Sequence, residues 1–127
     1  MFSHVMLGAD DIPAAKRFYD ATLGALGAPF GRIDEIGRLV YEHAGSRFVV
    51  RTPLNGDPAT GANGGTLGFL AASPEQVDAW YAAGIANGGT AIEDPPGLRN
   101  ATGGRVLYLA YLRDPGGNKL CGFFRVS

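Results

Sequence analysis

The stretch His4-Val5-Met6-Leu7 … Ala15-Lys16-Arg17-Phe18-Tyr19 … Leu23-Gly24-Ala25-Leu26-Gly27 returns 62 residues later as Thr66-Leu67-Gly68-Phe69 … Val77-Asp78-Ala79-Trp80-Tyr81 … Ile85-Ala86-Asn87-Gly88-Gly89. One offset, with no gap, carries Ala15 to Val77, Phe18 to Trp80, Tyr19 to Tyr81, Leu23 to Ile85 and Gly27 to Gly89. A self-similarity of this length means two fused copies of one supersecondary unit. Each copy opens on a short apolar strand, Ser3–Gly8 and Thr66–Ala71. Each then enters a helix. Asp11 caps the first, with Pro13 in its opening turn and an apolar stripe at Ala15, Phe18, Tyr19, Leu23 and Leu26. Ser73 caps the second, with Pro74 at the first helical position, Gln76 completing a capping box, and a stripe at Val77, Trp80, Tyr81 and Ile85.

Strands alone follow each helix. The first copy reads as strands near Phe30–Ile33, Gly37–Glu42 and Arg47–Arg51, with Ala44-Gly45-Ser46 as a tight turn. The second reads as a weak strand near Thr90–Glu93 and stronger ones at Arg105–Arg113 and Lys119–Arg125, the latter two joined by Asp114-Pro115-Gly116-Gly117-Asn118. The expected architecture is α+β: two tandem βαβββ modules in a single domain, residues 1–127. Module one spans about 1–52, a linker about 53–65, and module two about 66–127.

Composition narrows the function classes. With 127 residues the chain buries a core without staples. Eleven Lys+Arg against 12 Asp+Glu and the lack of any long basic run argue against nucleic-acid phosphates as partners. A single Cys excludes a disulfide framework and a Cys-rich zinc site. With no secretory signal and no long apolar run, the expected setting is cytoplasmic, away from membranes. Twenty glycines in a chain that is 46% hydrophobic belong at turns and close approaches, not in disorder. Gly68 and Gly122 stand apart because they fall inside strands, where a missing side chain leaves room for something to approach.

Alternation in the first strands turns Val5, Leu7, Leu67 and Phe69 toward the helices and His4, Met6, Thr66 and Gly68 toward the opposite face. Two modules side by side curl those opposite faces around a common cleft, with His4 and Thr66 at equivalent places.

At this point the chain resembles the vicinal oxygen chelate superfamily of glyoxalase I, extradiol dioxygenases, and fosfomycin- and bleomycin-resistance proteins. The resemblance is carried by Phe2-Ser3-His4-Val5, by Phe18-Tyr19-x3-Leu23-Gly24, and by Arg113-Asp114-Pro115-Gly116-Gly117-Asn118-Lys119-Leu120. It implies that the paired βαβββ modules form an incomplete barrel around the cleft, that the protein is a homodimer and, in metal-dependent members, that a divalent ion is held by His or Glu from the first and last strands of each module. Carried over position by position, those four places are His4, Val49, Thr66 and Cys121. Only His4 matches the usual ligand. The resemblance therefore implies a degenerate metal site with no metal or other cofactor expected, and a cleft (His4, Met6, Thr66, Gly68, Cys121) that binds a small organic molecule. The alternative is a glyoxalase-like lyase, isomerase or dioxygenase using a divalent metal, with zinc recruited by His4 and Cys121 helped by Glu42, His43 or a partner chain. Metal-independent catalysis with His4 as base is a third reading.

Other residues carry paired readings. Cys121 is either a nucleophile activated by His4 or a small buried hydrophobe. His43 is an exposed hairpin-edge residue. Arg47, Arg51, Arg99, Arg105, Arg113 and Arg125 lie in or beside strands and are able to present a fork to a carboxylate or phosphate. Tyr41, Tyr108 and Tyr111 are either cleft walls or ordinary sheet packing.

Overall fold

In the computed structural model, which describes residues 1–127, two four-stranded mixed sheets hold two helices between them and share one core. The first sheet contains β1 (Val5–Gly8), β2 (Arg32–Ile33), β3 (Leu39–His43) and β4 (Ser46–Arg51), in the order β1-β4-β3-β2. The second contains β5 (Leu67–Leu70), β6 (Thr90–Asn100), β7 (Val106–Arg113) and β8 (Lys119–Arg125), in the order β5-β8-β7-β6. Helices α1 (Ile12–Ala25) and α2 (Pro74–Ala86) follow β1 and β5. The two sheets thus have one topology, and neither closes into a barrel.

Register shows how deep the repeat goes. In the first sheet Val5 lies opposite Phe48 and Met6 opposite Val49; in the second Leu67 lies opposite Leu120 and Gly68 opposite Cys121. The offset of 62 in the opening strands becomes 72 in the closing strands, Val49 to Cys121. Val5, Leu7, Leu67 and Phe69 pack on the shared core with Phe18, Tyr19, Trp80, Leu112 and Leu120, as alternation requires.

The helix caps form as the sequence dictates. Asp11 accepts a hydrogen bond from the Ala14 amide at 2.9 Å, and Ser73 from the Gln76 amide at 3.1 Å. The return bond of the second cap differs from the expected box: the Gln76 side chain accepts from Ala72, one residue before the cap. Where α1 and α2 cross, the buried face of α2 ends on Gly84, and Ile85 is left exposed. The cause is close approach. A β-carbon at Gly84 would lie 2.3 Å from Leu112 of β7 and 3.2 Å from Phe18 of α1, so only hydrogen fits there. Thr22 of α1 is fully buried at the same crossing.

Several strand boundaries differ from the sequence reading. β1 begins at Val5 and β5 at Leu67, leaving His4 and Thr66 just outside their strands. β3 begins at Leu39 instead of Gly37, and β7 at Val106 instead of Arg105. β2 is a two-residue stub in place of Phe30–Ile33, because the Gly31 amide is drawn off the sheet to Asp20 of α1 at 2.9 Å. β6 is far longer than Thr90–Glu93 and runs to Asn100. Its middle is a bulge between Ile92 and Gly97 holding Pro95 and Pro96, which have no amide to offer a ladder, and Glu93 at φ +58°. The Arg99 guanidinium secures the bulge by donating to the carbonyls of Asp94 and Pro95 at 3.3 and 2.9 Å.

The linker is laid down closely as well. A β-carbon on Gly61 would fall 2.1 Å from the Gly117 carbonyl oxygen. Gly61→Ala is expected to lower the melting temperature by at least 5 °C, because backbone, not a flexible side-chain end, must yield. A change under 1 °C in a calorimetric scan would contradict that contact. No helix is long and apolar enough to cross a membrane.

Candidate functional site

Each sheet turns one face to the helices and one away, and the away-facing residues follow from register. In the first sheet Met6, Val49, Val40 and Arg32 form one row across the strands, beside Arg47 and Glu42. In the second, Gly68, Cys121, Tyr111 and Ile92 form the equivalent row. His4, Met6, Thr66 and Gly68 are all exposed, and a β-carbon on Gly68 would meet nothing within 4 Å. The structure thus brings Met6 beside Val49 and Gly68 beside Cys121 within their sheets. His4 contacts only its neighbour, with Nδ1 2.8 Å from the Ser3 hydroxyl. Between the opening strands a hollow of about 220 Å³ is lined by Val5 and Leu7, by Thr66 and Leu67, and by Asn118 and Lys119.

Gly122 has a different role from Gly68. It faces α2, and its missing side chain admits the Trp80 indole: a β-carbon there would sit 2.6 Å from the ring.

Cys121 is buried, with Leu107 and Leu109, in a small apolar cluster against Tyr111 and Phe123. Burial pushes its thiol up to about 11. The thiol is therefore protonated at neutral pH and donates to the Gly122 carbonyl at 3.6 Å. That favours the buried hydrophobe over the nucleophile, and the hydrogen bonds include none between Cys121 and His4. Native protein treated with iodoacetamide at pH 7.5 should remain unmodified at Cys121 for hours, while unfolded protein reacts within minutes. Fast alkylation of the native thiol would overturn this assignment.

The tyrosines divide. Tyr41 reaches Asp20 of α1 at 2.8 Å and Tyr108 reaches Asp78 of α2 at 2.7 Å, so both face the helices. Only Tyr111 lies on the away face, with the Lys119 ammonium 4.7 Å from its ring centroid and Lys119 in turn ion-paired to Glu93. Arg47, Arg51, Arg99, Arg113 and Arg125 share the away faces by register. Arg105 lies outside the strands and caps a short turn through the Thr102 carbonyl at 3.3 Å. His43 is exposed in the hairpin turn.

The Asp114-Pro115-Gly116-Gly117-Asn118 turn does more than reverse the chain. Buried Asp114 accepts from the Tyr19 hydroxyl at 2.5 Å, from the Gly116 and Asn118 amides at 2.9 Å, and from the Asn118 side chain at 2.8 Å. Asn118 also donates to the Gly8 carbonyl at 2.9 Å. Burial and the neighbouring carboxylate hold the Tyr19 phenol well above its ordinary range. This network clasps β1 and α1 to the last hairpin. Local sequence around the turn carries no sign of this clasp, because the decisive partner, Tyr19, lies 95 residues away along the chain.

A resident divalent metal would need several donors in one place. Of His4, Val49, Thr66 and Cys121, Val49 has no donor atom and Thr66 only a hydroxyl; Cys121 is a buried, protonated thiol. No three His, Cys, Asp or Glu side chains come together anywhere in the chain. The residues present do not fit the metal that the resemblance associates with this fold.

Comparison with known proteins accords with this architecture. The family model described as Glyoxalase/Bleomycin resistance protein/Dioxygenase superfamily matches residues 1–121. A glyoxalase/bleomycin resistance protein from Albidiferax ferrireducens T118 is 56% identical, over 97% of this chain and 98% of that one, with a TM-score of 0.92. A glyoxalase-related enzyme from Fulvimarina pelagi (18% identity, 98% and 87% covered, TM-score 0.72) has the same fold. So does a lactoylglutathione lyase from Agrobacterium tumefaciens (24% identity, 97% and 92% covered, TM-score 0.61). No protein of curated function matches the sequence. The chain belongs to the glyoxalase/bleomycin resistance protein/dioxygenase superfamily.

Proposed function

We propose that this protein binds a small organic molecule on the sheet faces turned away from its helices, without a divalent metal. The observation that carries the reading is the donor set. The family's four ligand places hold one imidazole, one hydroxyl, one valine and one buried thiol. Lewis-acid activation of adjacent oxygens requires a bound ion, and these side chains do not supply the ligands for one.

What remains on those faces suits recognition. Met6 and Leu70 are exposed there, a β-carbon on Gly68 would meet nothing within 4 Å, and arginines lie on the same faces, so apolar surface and polar groups stand together as small-molecule sites require. A homodimer that brings the first sheet of one copy to the second sheet of another fits the exposure of Met6 and Leu70 on those faces.

Turnover of methylglyoxal–glutathione hemithioacetal, assayed with nickel, zinc or manganese added, is the direct test. The expected rate is no higher than the uncatalysed background. Robust metal-dependent turnover would place the protein among the metalloenzymes of its family and end this reading.

A further inference from the structure

We infer that the linker carries a spontaneous modification site: Asn63, whose side-chain amide is lost to attack by the Gly64 main-chain nitrogen, giving aspartate or isoaspartate. The site is independent of what the sheet faces bind.

Asparagine before glycine is the pair in which this chemistry is least obstructed. Glycine has no side chain to shield its nitrogen or to resist rotation of the peptide. The chain holds three such pairs, Asn55-Gly56, Asn63-Gly64 and Asn87-Gly88. Their immediate covalent setting is the same, so the folded structure decides which of them reacts.

At Asn87, which caps the end of α2, the side chain is held on both sides. Its Nδ2 donates to the Ala83 carbonyl at 2.8 Å, and its Oδ1 accepts from the Arg17 guanidinium at 3.3 Å. At Asn55, Oδ1 accepts from the Asp57 amide at 3.0 Å. The attacking group is engaged there as well, because the Gly56 amide donates to the Pro53 carbonyl at 3.2 Å. Asn63 has neither restraint. Its side chain makes no hydrogen bond, the Gly64 amide donates to no group of the protein, and both residues are exposed. One bond spans the turn, from the Gly65 amide to the Ala62 carbonyl at 2.9 Å. Gly64 sits at φ +93°, and a glycine passes from there to negative φ without steric cost. The Asn63–Gly64 peptide is therefore free to turn its nitrogen onto Cγ.

In the reaction the Gly64 nitrogen gives its proton to water and attacks Cγ of Asn63. The N–Cγ bond forms, the Cγ–Nδ2 bond breaks, and Nδ2 takes a proton from solvent and leaves as ammonia. The product is a cyclic imide. Water then opens the ring, at Cγ to give aspartate or at the main-chain carbonyl to give isoaspartate. No oxidant or cofactor takes part. Either product adds one negative charge to a chain of formal net charge −1, and isoaspartate lengthens the linker by one main-chain carbon. The change falls between Ala62 and Gly65, both of which line the hollow between the opening strands.

The test is incubation of native protein at about pH 8.5 and 37 °C, beside the same chain unfolded in guanidinium chloride, with peptide mapping by mass spectrometry. Water labelled with heavy oxygen marks only what converts during the incubation. In the unfolded chain the three pairs should convert at similar rates. In the native protein Asn63 should keep close to its unfolded rate, Asn55 should be about tenfold slower, and Asn87 slower still. Asn63→Gln, at an exposed position, should remove the first acidic species seen on anion exchange and leave the melting temperature unchanged. Native Asn63 converting no faster than Asn87, or tenfold more slowly than in the unfolded chain, would overturn the inference. So would a first acidic species undiminished in Asn63→Gln.

Discussion

Asp114→Ala is expected to lower the melting temperature by about 12–20 °C, the largest loss from any single side chain outside the apolar core. The carboxylate is 4% exposed and accepts four hydrogen bonds. Removing it leaves the fully buried Tyr19 hydroxyl without an acceptor and releases the Asn118 side chain that ties the hairpin to Gly8. Unmade bonds to a buried charged group cost more than the same bonds contribute when formed, and about 3–5 kcal/mol is the expected sum. For a domain of this size each kcal/mol corresponds to roughly 4 °C. Tyr19→Phe removes one bond and no charge, so about 1–2 kcal/mol is expected there. Calorimetric melts of the two variants check the argument. A shift under 3 °C for Asp114→Ala would mean that the clasp between β1, α1 and the final hairpin does not hold the modules together.

The second large effect concerns a volume exchange between the two copies. Phe18 and Val50 in the first module correspond to Trp80 and Gly122 in the second: a larger ring is matched by the loss of a strand side chain. Gly122→Val drives a β-carbon to 2.6 Å from the Trp80 ring, in a core with no slack on either side. About 3 kcal/mol of destabilisation is expected, at the upper end for overpacking. Trp80→Phe alone leaves a void, though it also removes an indole N–H that has no hydrogen-bond partner, so its cost should be about 1–2 kcal/mol. Combined, the two substitutions recreate the pairing of the first module and should be less harmful than the sum by about 2 kcal/mol. Urea unfolding of the four proteins in a double-mutant cycle measures this. Strict additivity would show that Gly122 is not there for the indole.

The alternation of Val5 and Leu7 with His4 and Met6 was legible because every second residue of a half-buried strand answers to the core. The repeat was legible because both copies bury the same face against the same kind of helix. What stayed hidden depended on partners distant in sequence. The stripe of α2 is expected to end on Ile85; the approach of Leu112 from β7 and of Phe18 and Thr22 from α1 decides instead that Gly84 is buried and the isoleucine is not. The strand expected near Thr90–Glu93 runs on to Asn100, because an arginine four residues beyond Pro95 secures the bulge, and local chemistry carries no sign of that.

The candidate site divides along the same line. The resemblance assigns the metal places to His4, Val49, Thr66 and Cys121, and the structure adds the burial that keeps the Cys121 thiol protonated. The separation of Tyr111 from Tyr41 and Tyr108 came only with the strand register and the bonds of the latter two to Asp20 and Asp78. Residue type gives no hint of which face a strand residue takes when polar and apolar side chains alternate irregularly, as they do along β7 and β8.

The central claim is that this member of the family works without its metal. Elemental analysis of the purified protein by mass spectrometry, beside the His4→Ala variant, tests that claim most directly. The expected content of zinc, nickel, manganese and iron is well below one atom per chain, and the same in both proteins. One bound metal per chain that disappears in His4→Ala would contradict it.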